Sequence, residues 1–375
     1  MTPRPILPAD PKAHYERQRE AILTAMRRVL EGGTYILGPE VAAFEAAFAA
    51  YLEAGEVIGV GSGTDAIELA LRVAGIGAGD AVLTVSHTAV ATVAAIELTG
   101  ATPVFVDIDP LTYTMDPAAL AATIAAHHGK PLRAVVPVHL YGQPADMLSI
   151  LAIAEQHQLV VIEDCAQAHG ATIGSQKVGT FGALAAFSFY PTKNLGALGD
   201  GGALVCNTAA LAARARLLQQ YGWRERYISE IPGLNTRLDA LQAAILGVKL
   251  PQLDADNTVR RQIAARYSTE LAATGLTLPA AAPGTMHVYH QYTVLAPERR
   301  ALVEALRADG VLAGILYPVP VHLQPAYLHR LTGGAPLPVT ERVCQTLLCL
   351  PVQPTLDEAA VTTVIAAVHR HLAAR

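Results

Sequence analysis

The stretch VIGVGSGTD, residues 57–65, joins an apolar run to a glycine-rich turn that opens a predicted helix. The apolar residues that follow at helical spacing are Ile67, Ala70, Leu71 and Ala74. Glycines leave backbone N–H groups bare, and a helix N-terminus carries partial positive charge, so the turn suits a bound phosphate. Asp65 and Glu68 also fit an ordinary capping box, and the turn alone leaves both interpretations open.

Six further β-rich runs follow among helical or turn-rich segments, at residues 81–85, 103–106, 134–140, 159–163, 185–189 and 203–206. Several are apolar throughout, as expected of strands that are covered on both faces. Residues 1–250 are therefore predicted to form an N-terminal arm and a large α/β domain with a mostly parallel central sheet. Residues 251–375 show helical patterns around one strand at 289–295, which predicts a smaller C-terminal α+β domain.

The composition of the 375-residue chain limits the classes of ligand. Its 27 Lys and Arg against 32 Asp and Glu give a net charge of −5 without a long run of either sign, so no nucleic-acid or membrane partner is expected. No apolar run reaches the ~20 residues of a membrane span, and the first ten residues do not resemble a signal peptide, so a cytoplasmic location is expected. The spacing of Cys165, Cys206, Cys344 and Cys349 predicts buried thiols rather than a metal site or disulfides.

A carboxylate stands at the end of the predicted strand VVIED, residues 160–164. Ligands of open α/β sheets bind at the carboxyl ends of the strands, so Asp164 lies where a ligand is expected. A buried carboxylate needs a cation or several hydrogen-bond donors, which leaves a structural salt bridge as an equal alternative. Gln167 and His169 follow closely enough to reach the same ligand.

A lysine follows another apolar strand in SFYPTKN, residues 188–194, just before a glycine-rich loop. Such a lysine by itself is usually solvated. Together with a phosphate cradle and a strand-end aspartate, Lys193 completes the set of groups that pyridoxal 5'-phosphate requires. The lysine forms the imine, the aspartate keeps the pyridine nitrogen protonated, and the cradle anchors the phosphate.

Five motifs resemble the successive signatures of the DegT/StrS sugar aminotransferases: GSGTDAIELAL, PVHLYGQPADM, VIEDCAQAHGA, FSFYPTKNLGALGDGGALV and NTRLDALQAAIL. The resemblance runs from about Tyr35 to the last helix and includes GILYPVPVHLQPAY near the C-terminus. It implies a fold-type-I transferase that depends on pyridoxal 5'-phosphate and acts on a nucleotide-linked keto-sugar.

The resemblance also implies roles for individual residues. Lys193 would be the catalytic lysine that holds the cofactor, and Asp164 the partner of its ring nitrogen. The other implied cofactor contacts are Gly63, Thr64, His87, Gln167, Ser188 and Asn235. In this family the asparagine matched by Asn235 reaches the phosphate held by the other subunit, which implies a homodimer with shared active sites.

Substrate contacts are implied by the same likeness at Tyr35, Tyr190, Arg224, Arg226, Tyr317 and His322. The implied amino donor is glutamate, and the acceptor is a nucleoside-diphosphate-linked keto-deoxysugar, for whose diphosphate arginine is well suited. His87 stands where family members often stack Phe or Trp on the cofactor ring. A smaller imidazole leaves room and offers the sugar a hydrogen bond, so amination at C3 is expected.

Five alternative functions have to be considered. A C4 aminotransferase of the same family would differ only in how the sugar lies, and a regulator that binds the cofactor without turnover is made less favourable by the intact Lys193 and Asp164. An amino-acid aminotransferase or a desulfurase would share the fold and the lysine, but the motifs match the sugar branch. A nicotinamide dehydrogenase needs G-x-G-x-x-G after its first strand, which GIGAGD at residues 75–80 does not supply.

Overall fold

The computed structural model describes residues 5–328, 330 and 336–372. Its helices are α1 Pro11–Arg17, α2 Arg19–Gly32, α3 Pro39–Leu52, α4 Gly63–Val73, α5 Val90–Leu98, α6 Pro117–Ala126, α7 Met147–Gln156, α8 Ala209–Leu218, α9 Ala240–Lys249, α10 Leu253–Glu270, α11 Arg299–Ala308, α12 Pro338–Thr346 and α13 Glu358–Leu372. Its strands are β1 Glu56–Val60, β2 Ala81–Val85, β3 Thr102–Val106, β4 Leu132–Val136, β5 Val160–Asp164, β6 Thr172–Ile173, β7 Gln176–Lys177, β8 Leu184–Ser188, β9 Gly202–Cys206, β10 Trp223–Glu225, β11 Ile228–Ser229, β12 Thr285–Met286, β13 Tyr292–Leu295 and β14 Leu347–Leu350.

Seven strands form the central sheet in the order β1-β9-β8-β5-β4-β2-β3. Strand β9 runs antiparallel to both of its neighbours, and every other neighbouring pair is parallel. These are the seven predicted apolar runs, so the mostly parallel sheet is confirmed. The run predicted at 134–140 ends earlier, at Val136, and the chain enters a tight turn at Leu140–Gly142 in which Tyr141 has a φ of 59°.

Helices cover both faces of this sheet, which explains why its strands are apolar throughout. On one face, α3 contributes Phe48, whose ring meets that of Phe187 edge-on with centroids 5.1 Å apart. On the other face, α4 packs Ile67 and Ala70 into the core. The two layers fix the carboxyl ends of the strands relative to the start of α4.

The start of α4 corrects one interpretation made from the sequence. Its N-cap is Ser62, whose Oγ accepts a hydrogen bond from the N–H of Asp65 at 3.1 Å. Glu68 pairs with Arg72 one turn further along the helix, with 2.8 Å between nitrogen and oxygen. The capping box of Asp65 and Glu68 is therefore wrong, because Ser62 takes the capping position and Asp65 lies inside the helix.

The C-terminal unit packs α10, α11 and α13 around the antiparallel pair β13 and β14. The N-terminal arm lies against this unit, since Ile6 forms an isolated parallel bridge with Val311 and the His14 ring contacts Asp256 of α10 at 2.7 Å. The domain division at residue 250 stays a prediction.

Buried thiols are confirmed, because all four cysteines are buried and unpaired. Across the described ranges, none of the helices combines the length and the apolar character that crossing a membrane requires.

Candidate active site

Asp164 is the last residue of β5, and only 4% of its surface is exposed. Its Oδ2 accepts a hydrogen bond from the Thr92 hydroxyl at 2.8 Å, and its Oδ1 accepts one from the N–H of Ala166 at 3.1 Å. Burial raises the pKa of Asp164, while these two hydrogen bonds and the charge of Lys193 act in the opposite direction. The structural salt bridge left open by the sequence is not formed by any described residue, and the carboxylate is held by neutral donors.

Lys193 lies in the loop that follows β8, which is the strand next to β5 in the sheet. Burial lowers the pKa of its amine to about 8, and the Asp164 carboxylate opposes that shift. Within the described residues no hydrogen bond from its Nζ is found, so the amine interacts with Asp164 through its charge and is not engaged by another side chain. A lysine of this kind can act as a nucleophile and exchange protons near neutral pH.

The phosphate cradle predicted at residues 61–65 faces the end of β8. A Cβ added to Gly63 would lie 2.7 Å from the Cβ of Ser188, so only glycine permits this approach. The backbone N–H groups of Gly63 and Thr64, at the start of α4, have no acceptor in the described part of the chain. Two free donors at a helix N-terminus beside the Ser188 hydroxyl fit a phosphate group, and with Lys193 and Asp164 they fit pyridoxal 5'-phosphate.

Gln167 and Tyr317 are brought together beside Asp164. Gln167 Nε2 donates to the Tyr317 hydroxyl at 3.2 Å, and its Oε1 accepts a hydrogen bond from the backbone N–H of Tyr141 at 2.8 Å. Burial raises the pKa of Tyr317 to about 12, with a smaller contribution from the charge of Asp164. Tyr317 therefore remains a neutral phenol at the site and can both donate and accept hydrogen bonds.

His87 lies just beyond the end of β2 and is fully buried. The Tyr141 hydroxyl donates to the Leu316 carbonyl, so it accepts from His87 Nε2, 2.9 Å away. His87 Nδ1 is then the acceptor for the Cys344 thiol at 3.2 Å. Both ring nitrogens are used within the protein, so the hydrogen bond from His87 to the sugar, expected from the sequence, is wrong. Stacking of its ring on the cofactor stays a prediction.

His322 and Ser86 connect the C-terminal unit to the end of β2. The His322 Nδ1 and Ser86 Oγ are 2.7 Å apart, and Nε2 lies 3.3 Å from Glu341. His322 thus contacts the residue that precedes His87, with a polar link already made on each side of its ring.

Asn235 is exposed, while its neighbour Thr236 is buried and reaches the cradle of its own chain. The Thr236 hydroxyl accepts from the N–H of Gly61 at 2.9 Å and donates to Asp65 at 2.8 Å. Thr236 was not identified from the sequence, nor were Thr92 and Tyr141. The motif NTR, which contains Thr236, could have pointed to this residue, whereas no local signal marks Thr92 or Tyr141.

The remaining predicted substrate residues lie on the surface of the single chain. Tyr35 and Tyr190 are about half exposed, at 50% and 53%. Arg224 pairs with Glu230 at 2.7 Å in the β10–β11 hairpin, and Arg226 lies over the ring of Tyr227. The Tyr190 carbonyl accepts a hydrogen bond from the backbone N–H of Lys193 at 2.8 Å, but among the described residues no side-chain hydrogen bond or ion pair joins these four to Lys193. A role in binding the substrate stays a prediction for them.

A second polar cluster lies at the end of β5 beside the site, where ligand atoms of His139, Glu163 and Cys165 are within 4.8 Å of one another. The Glu163 carboxylate already accepts four hydrogen bonds, from His139 Nε2 and from the backbone N–H groups of Gly179, Phe181 and Gly182. Its hydrogen-bonding capacity is filled by the protein, which identifies the cluster as a structural link between β5 and the following loop.

Comparison with known proteins bears on the whole chain. The model of the DegT/DnrJ/EryC1/StrS aminotransferase family matches residues 16–369. The dTDP-3-amino-3,4,6-trideoxy-alpha-D-glucose transaminase of Streptomyces venezuelae is 46% identical over 369 residues, which cover 98% of this chain and 96% of the relative. The UDP-N-acetyl-3-dehydro-alpha-D-glucosamine 3-aminotransferase of Acidithiobacillus ferrooxidans is 42% identical over 373 residues, covering 99% and 100%.

Among solved structures, the chain is similar to the crystal structure of DesV from S. venezuelae in complex with a ketimine intermediate. The TM-score is 0.95 at 44% identity, and the alignment covers 99% of both chains. This agreement confirms the predicted fold class, an α/β fold-type-I transferase.

Proposed function

Because this chain belongs to the DegT/DnrJ/EryC1/StrS family of pyridoxal-phosphate-dependent sugar aminotransferases, we propose that it transfers an amino group from glutamate to C3 of a nucleoside-diphosphate-linked keto-deoxysugar. The observation that carries the proposal is the arrangement of Lys193, Asp164 and the free N–H groups of Gly63 and Thr64 at one edge of the sheet. Both relatives described above are named for a sugar aminated at position 3.

When bound, pyridoxal phosphate supplies an electron sink and carries the amino group between donor and acceptor. Residues of this chain bind and orient the cofactor and transfer the protons. The N–H groups of Gly63 and Thr64 bind the phosphate, and the Asp164 carboxylate holds the proton of the ring nitrogen. Lys193 Nζ accepts and returns protons at the carbon that is aminated, which its pKa of about 8 allows near neutral pH.

The C3 assignment is tested by comparing a 3-keto and a 4-keto 6-deoxy sugar on the same nucleoside diphosphate, with glutamate as donor. We expect a kcat/KM about tenfold or more higher for the 3-keto sugar, since a difference in a few site contacts is worth roughly 10- to 200-fold. Equal or better turnover of the 4-keto sugar would show a C4 enzyme. A spectral change with glutamate, followed by turnover of either sugar, distinguishes an enzyme from a regulator.

We also propose that the working unit is a homodimer in which Asn235 binds the phosphate in the partner's site. Asn235 is exposed, and its neighbour Thr236 contacts the cradle, which supports this placement. Tyr35 and Tyr190 are also exposed, and a subunit interface over this edge would cover both rings.

Mixing Lys193→Ala and Asn235→Ala proteins tests the shared site. Each homodimer is expected to be impaired, but a mixed dimer has one site with both lesions and one with neither. Random exchange makes half the dimers mixed, so about a quarter of the wild-type sites should be restored. The matched control mixes Lys193→Ala with Asp164→Asn, because both residues belong to one chain's site and every mixed dimer then has two damaged sites. Equal recovery in the two mixtures, or full activity of Asn235→Ala alone, would contradict the proposal.

A further inference from the structure

The loop that carries Lys193 and the segment that follows Asp164 meet at one buried side chain, Asn257 of α10. Asn194, the residue after Lys193, donates from its Nδ2 to Asn257 Oδ1 at 2.8 Å. Asn257 Nδ2 donates to the backbone carbonyl of His169 at 2.8 Å. Asn257 is only 2% exposed, so water does not compete for either bond.

The hydrogen-bond partners fix the orientation of both amides. Asn194 Oδ1 accepts from His290 Nδ1 at 3.1 Å, and its Nδ2 also donates to the carbonyl of Val288 at 3.1 Å. A flipped Asn257 would place its oxygen against the His169 carbonyl and its NH2 against that of Asn194. One arrangement of the network satisfies every group, which makes it a rigid link.

We propose that Asn257 is a positioning residue that ties the Lys193 loop to the Asp164 segment and so sets the geometry of the amine and the carboxylate. This inference rests on the roles proposed for Lys193 and Asp164 in the sugar aminotransferase. Gly170 shows how close the contact is, because a Cβ at that residue would lie 2.9 Å from Asn257 Nδ2. The carbonyl of Gly196, further along the same loop, is held separately by Lys249 Nζ at 2.6 Å. Of the partners of the Asn194 side chain, Asn257 is the one that also bonds the segment after Asp164.

Asn257→Leu removes both bonds with the same number of side-chain heavy atoms, leaving the His169 carbonyl without this donor and the Asn194 amide with only its bonds to Val288 and His290. The loop is then expected to shift, and a misplacement of about 1 Å can cost on the order of 100-fold in rate. We expect kcat to fall by about 10- to 100-fold while KM for glutamate changes little, because Asn257 touches the catalytic segments and not the donor.

A second measurement needs no turnover. The rate at which cofactor-free protein captures pyridoxal phosphate depends on the neutral Lys193 amine, so its pH profile has a midpoint near the pKa of about 8. Burial causes that lowered pKa against the opposing charge of Asp164, and a loosened loop relieves burial. The midpoint of Asn257→Leu should therefore move upward, toward the ordinary lysine value.

Tyr267→Phe is the matched control, since it removes one buried hydrogen bond of the same helix, from the Tyr267 hydroxyl to the Pro351 carbonyl at 2.8 Å, away from both segments. It should lower the thermal stability without moving the midpoint or kcat. In a double-mutant cycle, Asn194→Leu combined with Asn257→Leu should cost no more in kcat than the worse single change, because both break one link.

An unchanged midpoint and kcat in Asn257→Leu, with only the loss of stability seen for Tyr267→Phe, would overturn the proposal. If Asn257→Leu does not fold, the smaller and polar Asn257→Ser is measured in the same way, with the same outcomes. A wild-type protein that captures the cofactor but aminates no nucleotide sugar would refute the proposed function and leave this test intact, because capture is measured without a sugar.

Discussion

Lys193→Ala is expected to remove both the activity and the visible absorption of the cofactor-bound protein. In the proposed mechanism this amine bonds the cofactor covalently and moves protons at the aminated carbon. General acid–base catalysis alone contributes about 10²- to 10⁴-fold, and the covalent role adds to it, so kcat should fall by about 10⁴-fold or more. The measurement combines single-turnover kinetics with the absorption spectrum of the purified protein.

Lys249→Met is the control for this substitution. Lys249 is also buried, and burial lowers the pKa of its amine to about 8 as well, but its Nζ is bound to the carbonyl of Gly196. The variant should lose stability and keep the visible band. A Lys193→Ala protein that retained the band, or a wild-type protein that neither binds nor responds to pyridoxal phosphate, would refute the assignment of Lys193.

The sequence was sufficient to predict the sheet and to place Asp164 and Lys193 at one edge of it. Continuous apolar runs identify strands covered on both faces, and polar residues directly after such runs must lie at the carboxyl edge of a parallel sheet. Asp164 and Lys193 could therefore be placed at this edge from local pattern, whereas their roles toward a cofactor rest on their combination with the phosphate cradle and on the family resemblance. The reversed direction of β9 could not, because an apolar run has the same pattern in either direction.

The rest of the site depends on contacts between residues far apart in the sequence. Thr92 supports Asp164 from 72 positions away, and Tyr141 meets His87 from 54 positions away. Tyr141 lies within one of the family motifs, yet its role as the acceptor for His87 and the donor to Leu316 follows only from the fold. The hydrogen-bond partners of His87 could not be predicted from the sequence either, and for that reason the expected hydrogen bond from His87 to the sugar was wrong.

Asp164→Asn is expected to lower kcat by about 10²- to 10³-fold, as removal of one preorganised electrostatic group does in other enzymes. The amide keeps the shape of the carboxylate but cannot hold a proton on the ring nitrogen. The hydroxyls of Thr92 and Thr88, 2.9 Å apart, can rotate so that Thr92 accepts from the new NH2 group. The loss should therefore appear in kcat, measured at saturating glutamate and sugar, rather than as a failure to fold.

Glu163→Gln provides the contrast, since it changes the adjacent buried carboxylate in the same way. Three backbone N–H groups point at the Glu163 oxygens, each at 2.8 Å, and the NH2 of glutamine would face one or more of these donors. That change leaves buried donors unpaired and is expected to lower the thermal stability clearly. Asp164, by contrast, should tolerate the amide.

The cofactor-free Asp164→Asn protein should in fact be more stable than the wild type at neutral pH. Burial raises the pKa of Asp164 in the folded state above its unfolded value of about 3.9, so the folded state disfavours the ionised form. The stability that the protonated carboxyl contributes is complete below pH ~3.9 and is lost as the pH rises through the folded pKa. Between the two pKa values, the free energy of unfolding falls by about 1.4 kcal/mol per pH unit. Asparagine does not titrate, so the difference in unfolding temperature between the two cofactor-free proteins should grow in favour of Asp164→Asn as the pH rises from 4 through the raised pKa of Asp164. A constant difference over that range, or a variant that is less stable at pH 8, would contradict this prediction. Either result would show that the cofactor-free protein stabilises the ionised carboxylate of Asp164 and that its burial does not depend on a positively charged ring nitrogen for compensation.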